Sequence, residues 1–330
     1  MVDRIHIMES KFFVFFLSEN QYILIMESKD IVIIGGGVAG LSAGLYAARS
    51  GMDSVVIDSG GGGQALEINN LENYPGIFPA ANGRAFIQNL AEQAESFGAK
   101  IVYAEVLSID KKNNLFFVKT GKNEFAAKSV IYAAGATHRK LGIPGEERLA
   151  GRGVSYCAVC DGPFFKNKKV AVVGGGDSAC SEALYLANIA SRVELIHRRN
   201  ELRAAKSIAE KILSSGKIAV HFNSIAKEIT GEEKVSGINV ENVENHQISS
   251  IETDAVFIFV GMNPHADLLE TLEKDENGYI KTDEKMATSV PGLFIAGDVR
   301  SKPLRQIVTA ASDGATAGIF AAEYAKNLRI

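Results

Sequence analysis

The chain has 330 residues, of which 46% are hydrophobic and 22% charged, as in globular proteins that bury a core. A net charge of −4 without a long basic run argues against a nucleic-acid or anionic-membrane partner. The three cysteines, Cys157, Cys160 and Cys180, are too few for a secreted disulfide scaffold and favour a reducing, cytoplasmic compartment. The length predicts about two domains.

The first 28 residues do not resemble the rest of the chain. The apolar run at 12–17 is followed by polar residues at 18–21. This run is too short for a membrane span, which needs about 20 apolar residues, and it fits a signal peptide poorly. Met26 stands just ahead of the first predicted strand. We therefore predict that residues 1–28 form an N-terminal extension and that Met26 is the natural start.

A strand, a G-x-G-x-x-G turn and an Ala-rich helix follow at residues 30–50, and a second strand ends at Asp58. In such a unit Gly35 permits the tight turn and Gly37 lets backbone N–H groups approach a pyrophosphate. Gly40 allows close packing of helix on strand, and Asp58 stands where a ribose hydroxyl would be held. The pattern predicts a dinucleotide-binding fold.

The same pattern recurs at residues 169–196, with alanine in the third small position. The turn residues predicted to approach a second dinucleotide are Gly174, Gly176, Asp177, Ser178 and Ala179. The chain therefore contains two dinucleotide folds, one far along the sequence from the other.

The two folds differ at the position expected to hold a ribose. Asp58 is 23 residues after Gly35 (58 − 35), and the residue 23 after Gly174 is His197 (197 − 174). This position opens a basic run that consists of His197, Arg198, Arg199 and, slightly further on, Arg203. An acid would repel a 2′-phosphate, whereas guanidinium groups bind one. The first fold thus suits FAD and the second NADPH; the alternative is that the basic run is a solvated strand end.

Cys157 and Cys160 form a C-x-x-C motif just ahead of the second fold. Zinc needs about four ligands, and the sequence offers neither a second C-x-x-C nor an H-x₃₋₅-H pair, so no metal site is predicted. Redox use needs an attacking thiol, a resolving thiol and a nearby proton donor. Asp161 is the candidate donor, and its alternative role is a helix N-cap or turn residue.

A late strand at 292–296 ends in Gly297-Asp298. A carboxylate at the C-terminal edge of a sheet lies where ligands bind, although a simple turn after the strand explains these two residues equally well.

Together these residues resemble the low-molecular-weight, bacterial-type thioredoxin reductases, from about Asp30 to the C-terminus. The motifs that carry the resemblance are 35–40, 62–64, 72–76, 133–135, 153–162, 197–199, 297–299 and 305–307.

The resemblance implies an α/β fold of two Rossmann-like, three-layer ββα domains, with the NADPH domain inserted in the FAD domain. The FAD domain would comprise 29–138 and 265–330, and the NADPH domain 139–264, with a hinge at the two crossings. Further residues that match FAD-contacting motifs are Gly63, Gln64, Asn73, Ala134, Gly135, Gly297, Asp298, Arg305, Gln306 and Ile307. The resemblance also implies a homodimer.

The implied reaction takes hydride from NADPH to FAD and then opens a Cys157–Cys160 disulfide, with Cys160 nearer the flavin. Cys157 would attack the disulfide of thioredoxin while Asp161 relays protons. Two alternatives stay open. One is an enzyme of the same superfamily that acts on a peroxiredoxin, a specialised thioredoxin-like protein or a small dithiol. The other is a flavin- or nucleotide-binding sensor with a structural zinc pair.

Overall fold

The computed structural model describes residues 5–8, 12–15, 24–60, 62–68 and 71–328. The strands, numbered in chain order, are β1 (Ile5–Met8), β2 (Phe12–Phe15), β3 (Leu24–Ile34), β4 (Ser54–Asp58), β5 (Lys100–Tyr103), β6 (Val106–Lys112), β7 (Leu115–Thr120), β8 (Glu124–Tyr132), β9 (Ala136–His138), β10 (Val154–Ser155), β11 (Lys169–Val173), β12 (Arg192–Ile196), β13 (Ile218–His221), β14 (Ser224–Thr230), β15 (Gly237–Asn242), β16 (Ile248–Glu252), β17 (Ala255–Ile258), β18 (Met262–Pro264) and β19 (Leu293–Ile295). The α-helices are α1 (Val38–Arg49), α2 (Gly83–Ser96), α3 (Ala158–Asp161), α4 (Asp177–Ala187), α5 (Lys206–Ser214) and α6 (Ile307–Asn327).

The chain divides into two compact units. Unit 1 comprises the residues up to Thr137 and from Pro264 onward, and unit 2 comprises His138–Asn263. One unit is thus built from two separate segments of sequence, and the other from the segment between them.

Unit 1 is built on a sheet in which β3 lies between β4 and β8, with both neighbours parallel to it. Successive residues of β3 point to opposite faces, as a strand requires. Ile31 and Ile33 pack with α1, α2 and α6, whereas Val32 and Ile34 pack with β7 and β19. The sheet is therefore covered on both faces, which agrees with the layered α/β fold predicted from the sequence.

Strand β3 is longer than the sequence predicts, because it begins at Leu24 rather than at residue 30. Its additional residues lie beside the first half of β8, where Met26 pairs with Glu124 and Lys29 with Ala127. The backbone groups of β8 thus find partners in a segment that the sequence does not predict as a strand. The predicted extension, residues 1–28, lies partly outside the described residues.

Unit 2 has a parallel sheet in the order β10-β17-β11-β12-β13 and an antiparallel sheet in the order β14-β15-β16. One face of the parallel sheet packs on α4 and α5 through residues such as Val172 and Leu195. The other face packs on the antiparallel sheet through residues such as Val173 and Ile258. Helix α4 begins at Asp177, directly after the second glycine turn, so this turn opens the helix as predicted.

Among the described residues, no helix combines the length and apolarity that a membrane span demands.

Candidate functional site

The first glycine turn, between β3 and α1 in unit 1, is built from positions that exclude side chains. Gly35 has φ +108°, a conformation that favours glycine, and a Cβ there would collide with the carbonyl oxygen of Ala133. A Cβ on Gly40 would collide with the carbonyl oxygen of Gly35. These two glycines are required by the packing of α1 against β3, irrespective of any ligand.

Gly37 is different, because a Cβ there would lie 3.8 Å from the nearest atom, the carbonyl oxygen of Gly62. It is the N-cap of α1 and no side chain caps this helix. The first N–H groups of α1 are therefore uncapped and accessible, as the binding of an anionic diphosphate requires. The residues present fit a dinucleotide.

The contrast between these glycines gives a prediction. Gly40→Ala is expected to lower the free energy of unfolding by about 3 kcal/mol or more, because the colliding atom belongs to the backbone. Gly37→Ala is expected to change stability little and to weaken flavin binding instead, because the added methyl group occupies the space proposed for the diphosphate. Thermal unfolding and retained flavin measure the two effects. Equal loss of stability in both variants would contradict this division.

Asp58 holds the turn rather than pointing away from it. Its Oδ1 accepts a hydrogen bond from Gly36 N at 3.3 Å, and its Oδ2 accepts one from Gly62 N at 3.3 Å. The carboxylate thus joins the glycine turn to the second glycine-rich segment.

Several residues predicted for the flavin site meet in unit 1 although they are far apart in sequence. Asn73 Nδ2 donates to Gln306 Oε1 at 3.0 Å. Gln64 Nε2 donates to the carbonyl oxygen of Ala136. The guanidinium of Arg305 lies 3.6 Å from the centre of the Tyr279 ring. The remaining predicted residues lie in the same unit: Gly63 is exposed beside Gly37, Ala134 and Gly135 follow β8, Gly297 and Asp298 follow β19, and Ile307 begins α6.

The second glycine turn, in unit 2, also leads into a helix with an uncapped, accessible N-terminus. Gly176 is the N-cap of α4 without a capping side chain, and a Cβ on it would meet nothing within 4 Å. Asp177 Oδ1 accepts a hydrogen bond from Ala205 N at 2.8 Å. Ser178 is exposed, whereas Ala179 is buried against Gly174. The first N–H groups of α4 are thus open to an anion, which fits a second dinucleotide.

The structure separates His197 from the arginines with which the sequence grouped it. Its ring is buried against Gly175, where a Cβ would collide with it, and its Nε2 lies 2.9 Å from the carbonyl oxygen of Glu201. Burial lowers the pKa of His197, and the nearby arginine charges lower it further, although the Glu201 carbonyl opposes this. A neutral, buried ring is suited to hold the turn rather than to bind a phosphate.

Arg198, Arg199 and Arg203 are exposed, as a fork for an anionic ligand needs to be. The N–H of Arg203 donates to the carbonyl oxygen of Gly175 at 2.7 Å. The segment that carries the arginines is therefore held against the glycine turn by this backbone hydrogen bond and by the packing of the His197 ring.

Cys157 and Cys160 are joined in a disulfide, with 5.3 Å between their Cα atoms. Both residues are half-buried, and Cys157 is the N-cap of α3. The N–H of Cys160 donates to Cys157 Sγ at 3.1 Å. An N–H directed at this sulfur favours negative charge on it once the disulfide opens, because hydrogen bonds to an ionised acceptor are strong.

Asp161 ends α3 and lies in the sequence next to Cys160. Burial raises the pKa of its carboxyl group, and a hydrogen bond from the Ser155 side chain partly opposes this shift. Its side chain makes no capping bond to the turn of 3₁₀ helix that follows. The arrangement is that of a carboxyl group able to hold a proton, one residue away in the sequence from the disulfide.

Sequence reasoning missed the polar groups that fix this disulfide. Ser155 Oγ accepts a hydrogen bond from Cys157 N at 3.1 Å. The hydroxyl of Tyr156 donates to Oε1 of the buried Glu146 at 2.7 Å, and its ring stacks on His138. Glu146 also accepts the N–H groups of residues 141 and 142, so it fixes the segment ahead of the motif. The Ser155 contact is local, whereas the Tyr156–Glu146 contact joins residues ten positions apart and has no signal in the sequence.

The third cysteine, Cys180, is buried in α4, and burial together with the Asp177 charge raises its pKa to about 11. Within the described ranges no cluster of three or more His, Cys, Asp or Glu side chains could hold a metal ion.

The chain is similar to known proteins over most of its length. The profile of the pyridine nucleotide-disulphide oxidoreductases matches residues 29–314. A thioredoxin reductase from Treponema pallidum (strain Nichols) is 50% identical over 301 residues, which cover 91% of this chain and 98% of that protein.

Two solved structures are similar over about nine-tenths of this chain. The crystal structure of thioredoxin reductase from Streptococcus pyogenes MGAS5005 has a TM-score of 0.86 at 43% identity, covering 91% of this chain and 99% of that one. A thioredoxin reductase from Giardia duodenalis has a TM-score of 0.86 at 36% identity, covering 90% and 98%.

Proposed function

The chain belongs to the pyridine nucleotide-disulphide oxidoreductase family, and from this membership we propose that it is a thioredoxin-disulfide reductase. The observation that carries the proposal is the Cys157–Cys160 disulfide, followed directly in the sequence by the half-buried Asp161, whose carboxyl pKa is raised by burial. A disulfide, a donor directed at one sulfur and a nearby acid are the parts that thiol–disulfide exchange needs.

The two cofactors proposed are FAD on unit 1 and NADPH on unit 2. The open N-termini of α1 and α4 support one diphosphate each. Exposed arginines after β12 support a 2′-phosphate on the second dinucleotide. When bound, NADPH supplies a hydride and FAD supplies two electrons to a disulfide.

The protein's own groups then carry out the exchange. The Cys157–Cys160 disulfide takes up two electrons, and Asp161 supplies a proton to one of the sulfurs that separate. Cys157, as a thiolate, attacks one sulfur of the thioredoxin disulfide and displaces the other as a thiol. Cys160 then attacks the resulting mixed disulfide, which releases dithiol thioredoxin and restores the Cys157–Cys160 bond. Each cycle thus moves two electrons and two protons to the partner, one proton supplied by Asp161 and the other taken from solvent.

The role of Asp161 gives a prediction about pH. Since burial raises the pKa of Asp161, its acid form persists to a higher pH than that of an ordinary aspartate. The contribution of this acid to the turnover rate falls as pH rises through the raised pKa. Asp161→Asn is expected to slow turnover by about a hundredfold or more and to remove this decline, because proton transfer by a placed side chain contributes about that much. Rates measured across the pH range check this.

Ser155→Ala is the matched variant. The hydrogen bond from Ser155 lowers the pKa of Asp161, so its loss moves the decline to higher pH. An unchanged pH profile in both variants would contradict the proton role of Asp161.

The partners proposed are thioredoxin and a second copy of the chain, in the reducing cytoplasm. Tyr46 on α1 and Ile319 on α6 support the dimer, since both are large, apolar and exposed and the helices that carry them pack together. NADPH oxidation in the presence of thioredoxin tests the function directly. A flavin-loaded protein that never reduces thioredoxin would overturn the proposal.

A further inference from the structure

A charged cluster that is partly shielded from solvent follows β19 in unit 1. It consists of two anions, Asp298 and Asp313, and two cations, Arg300 and Lys302. The side chain of Lys302 is only 3% exposed, and its Nζ lies 3.1 Å from Asp298 Oδ1 and 3.1 Å from Asp313 Oδ2. Burial of such charges is costly unless they are paired, so the two carboxylates stabilise the ammonium group and depend on it in turn.

Asp313, on α6, fixes the geometry of the cluster. Its carboxylate accepts hydrogen bonds from Gly297 N at 3.2 Å, from Arg300 Nη2 at 3.1 Å and from Lys302 Nζ at 3.1 Å. These donors come from the segment on both sides of Asp298. The helix thus holds this segment, and Lys302 has a defined place within it.

Asp298 has a different environment from Asp313. Its Oδ1 is buried and, among the described residues, receives no hydrogen bond. Lys302 Nζ is 3.1 Å away, so the two groups form an ion pair whose angles do not make a hydrogen bond. Lys302 therefore acts on Asp298 through its charge, and the acceptor capacity of Asp298 Oδ1 is left for another donor.

The segment with Asp298 packs against the first glycine turn. A Cβ on Gly297 would lie 2.8 Å from Ala39 Cβ, and Ala39 is in the first turn of α1. The N–H groups at this end of α1 are those proposed to bind a diphosphate. An uncompensated Asp298 would thus place a negative charge in the region proposed for an anionic ligand.

We propose that Lys302 is a positioning residue for the flavin dinucleotide: anchored by Asp313, it balances the charge of Asp298 beside an anionic cofactor. The proposal rests on the function proposed above, in which unit 1 holds FAD. It extends that function to a residue that lies outside the glycine turn and outside the motifs predicted from the sequence.

The test measures release of FAD from the purified holoenzyme, followed by the rise of flavin fluorescence on dilution. Lys302→Met is expected to release FAD at least about tenfold faster, because loss of one partner leaves a buried charge unpaired. Lys281→Met, which removes an exposed lysine paired with Glu273, is the control and should release FAD at the wild-type rate.

A further variant separates charge from packing. Lys302→Arg keeps the cation and is expected to restore slow release; release as fast as in Lys302→Met overturns the charge role. A wild-type rate in Lys302→Met would also overturn the proposal. A wild-type chain that purifies without flavin would overturn the proposed function instead.

Discussion

Replacement of Cys157 by serine is expected to abolish reduction of thioredoxin while NADPH still bleaches the flavin absorbance. A serine hydroxyl is not ionised at neutral pH, whereas the thiolate is the nucleophile in disulfide exchange. The N–H of Cys160 that points at this sulfur at 3.1 Å would stabilise a thiolate at this position. Turnover should fall by about a thousandfold or more, as for loss of other enzyme nucleophiles.

Cys180→Ala is the matched control for this variant. Cys180 is a buried thiol in α4 whose pKa is raised to about 11, so it is not a nucleophile at neutral pH. We expect some loss of stability from the smaller side chain but normal turnover for each folded molecule. Full turnover by Cys157→Ser, or loss of flavin bleaching in that variant, would contradict the role assigned to Cys157.

Replacement of Arg198 and Arg199 by alanine is expected to weaken the binding of NADPH by at least about tenfold for each arginine. A hydrogen bond to a charged group contributes about 1.5–3 kcal/mol. NADH has no 2′-phosphate, so its KM should change little. Both arginines are exposed at the C-terminal end of β12, beside the segment that is fastened to Gly175. KM values for the two nucleotides measure the difference.

Arg192→Ala is the control, since Arg192 lies at the opposite end of β12 and pairs with Glu194. Loss of this half-exposed ion pair should leave both KM values unchanged, because such pairs contribute little. An equal rise in KM for NADPH and NADH in the double arginine variant would show that these side chains do not recognise a 2′-phosphate.

The sequence predicted the layered α/β fold and both glycine turns correctly, because each depends on local rules. A buried strand followed by a glycine turn and an Ala-rich helix is recognisable within about thirty residues. Residues 24–29 were not predicted as strand, because their pairing with β8 involves residues about a hundred positions later. Equal spacing predicted that His197 takes the place of Asp58. In the structure the two side chains do lie against corresponding glycines of their turns, Asp58 against Gly36 and His197 against Gly175.

What the sequence by itself determined is the chemistry available: two cysteines in a C-x-x-C motif, an acid next to them in the sequence, two glycine turns and an arginine run. These features are local, and their residue types fix what they can do. The tertiary structure decided the state of these groups. Ser155 and the burial of Asp161 set how its proton is held, and Asp313 fixes Lys302 beside Asp298. Such contacts join distant residues, and burial changes the energy of a charge, so only the folded chain defines them.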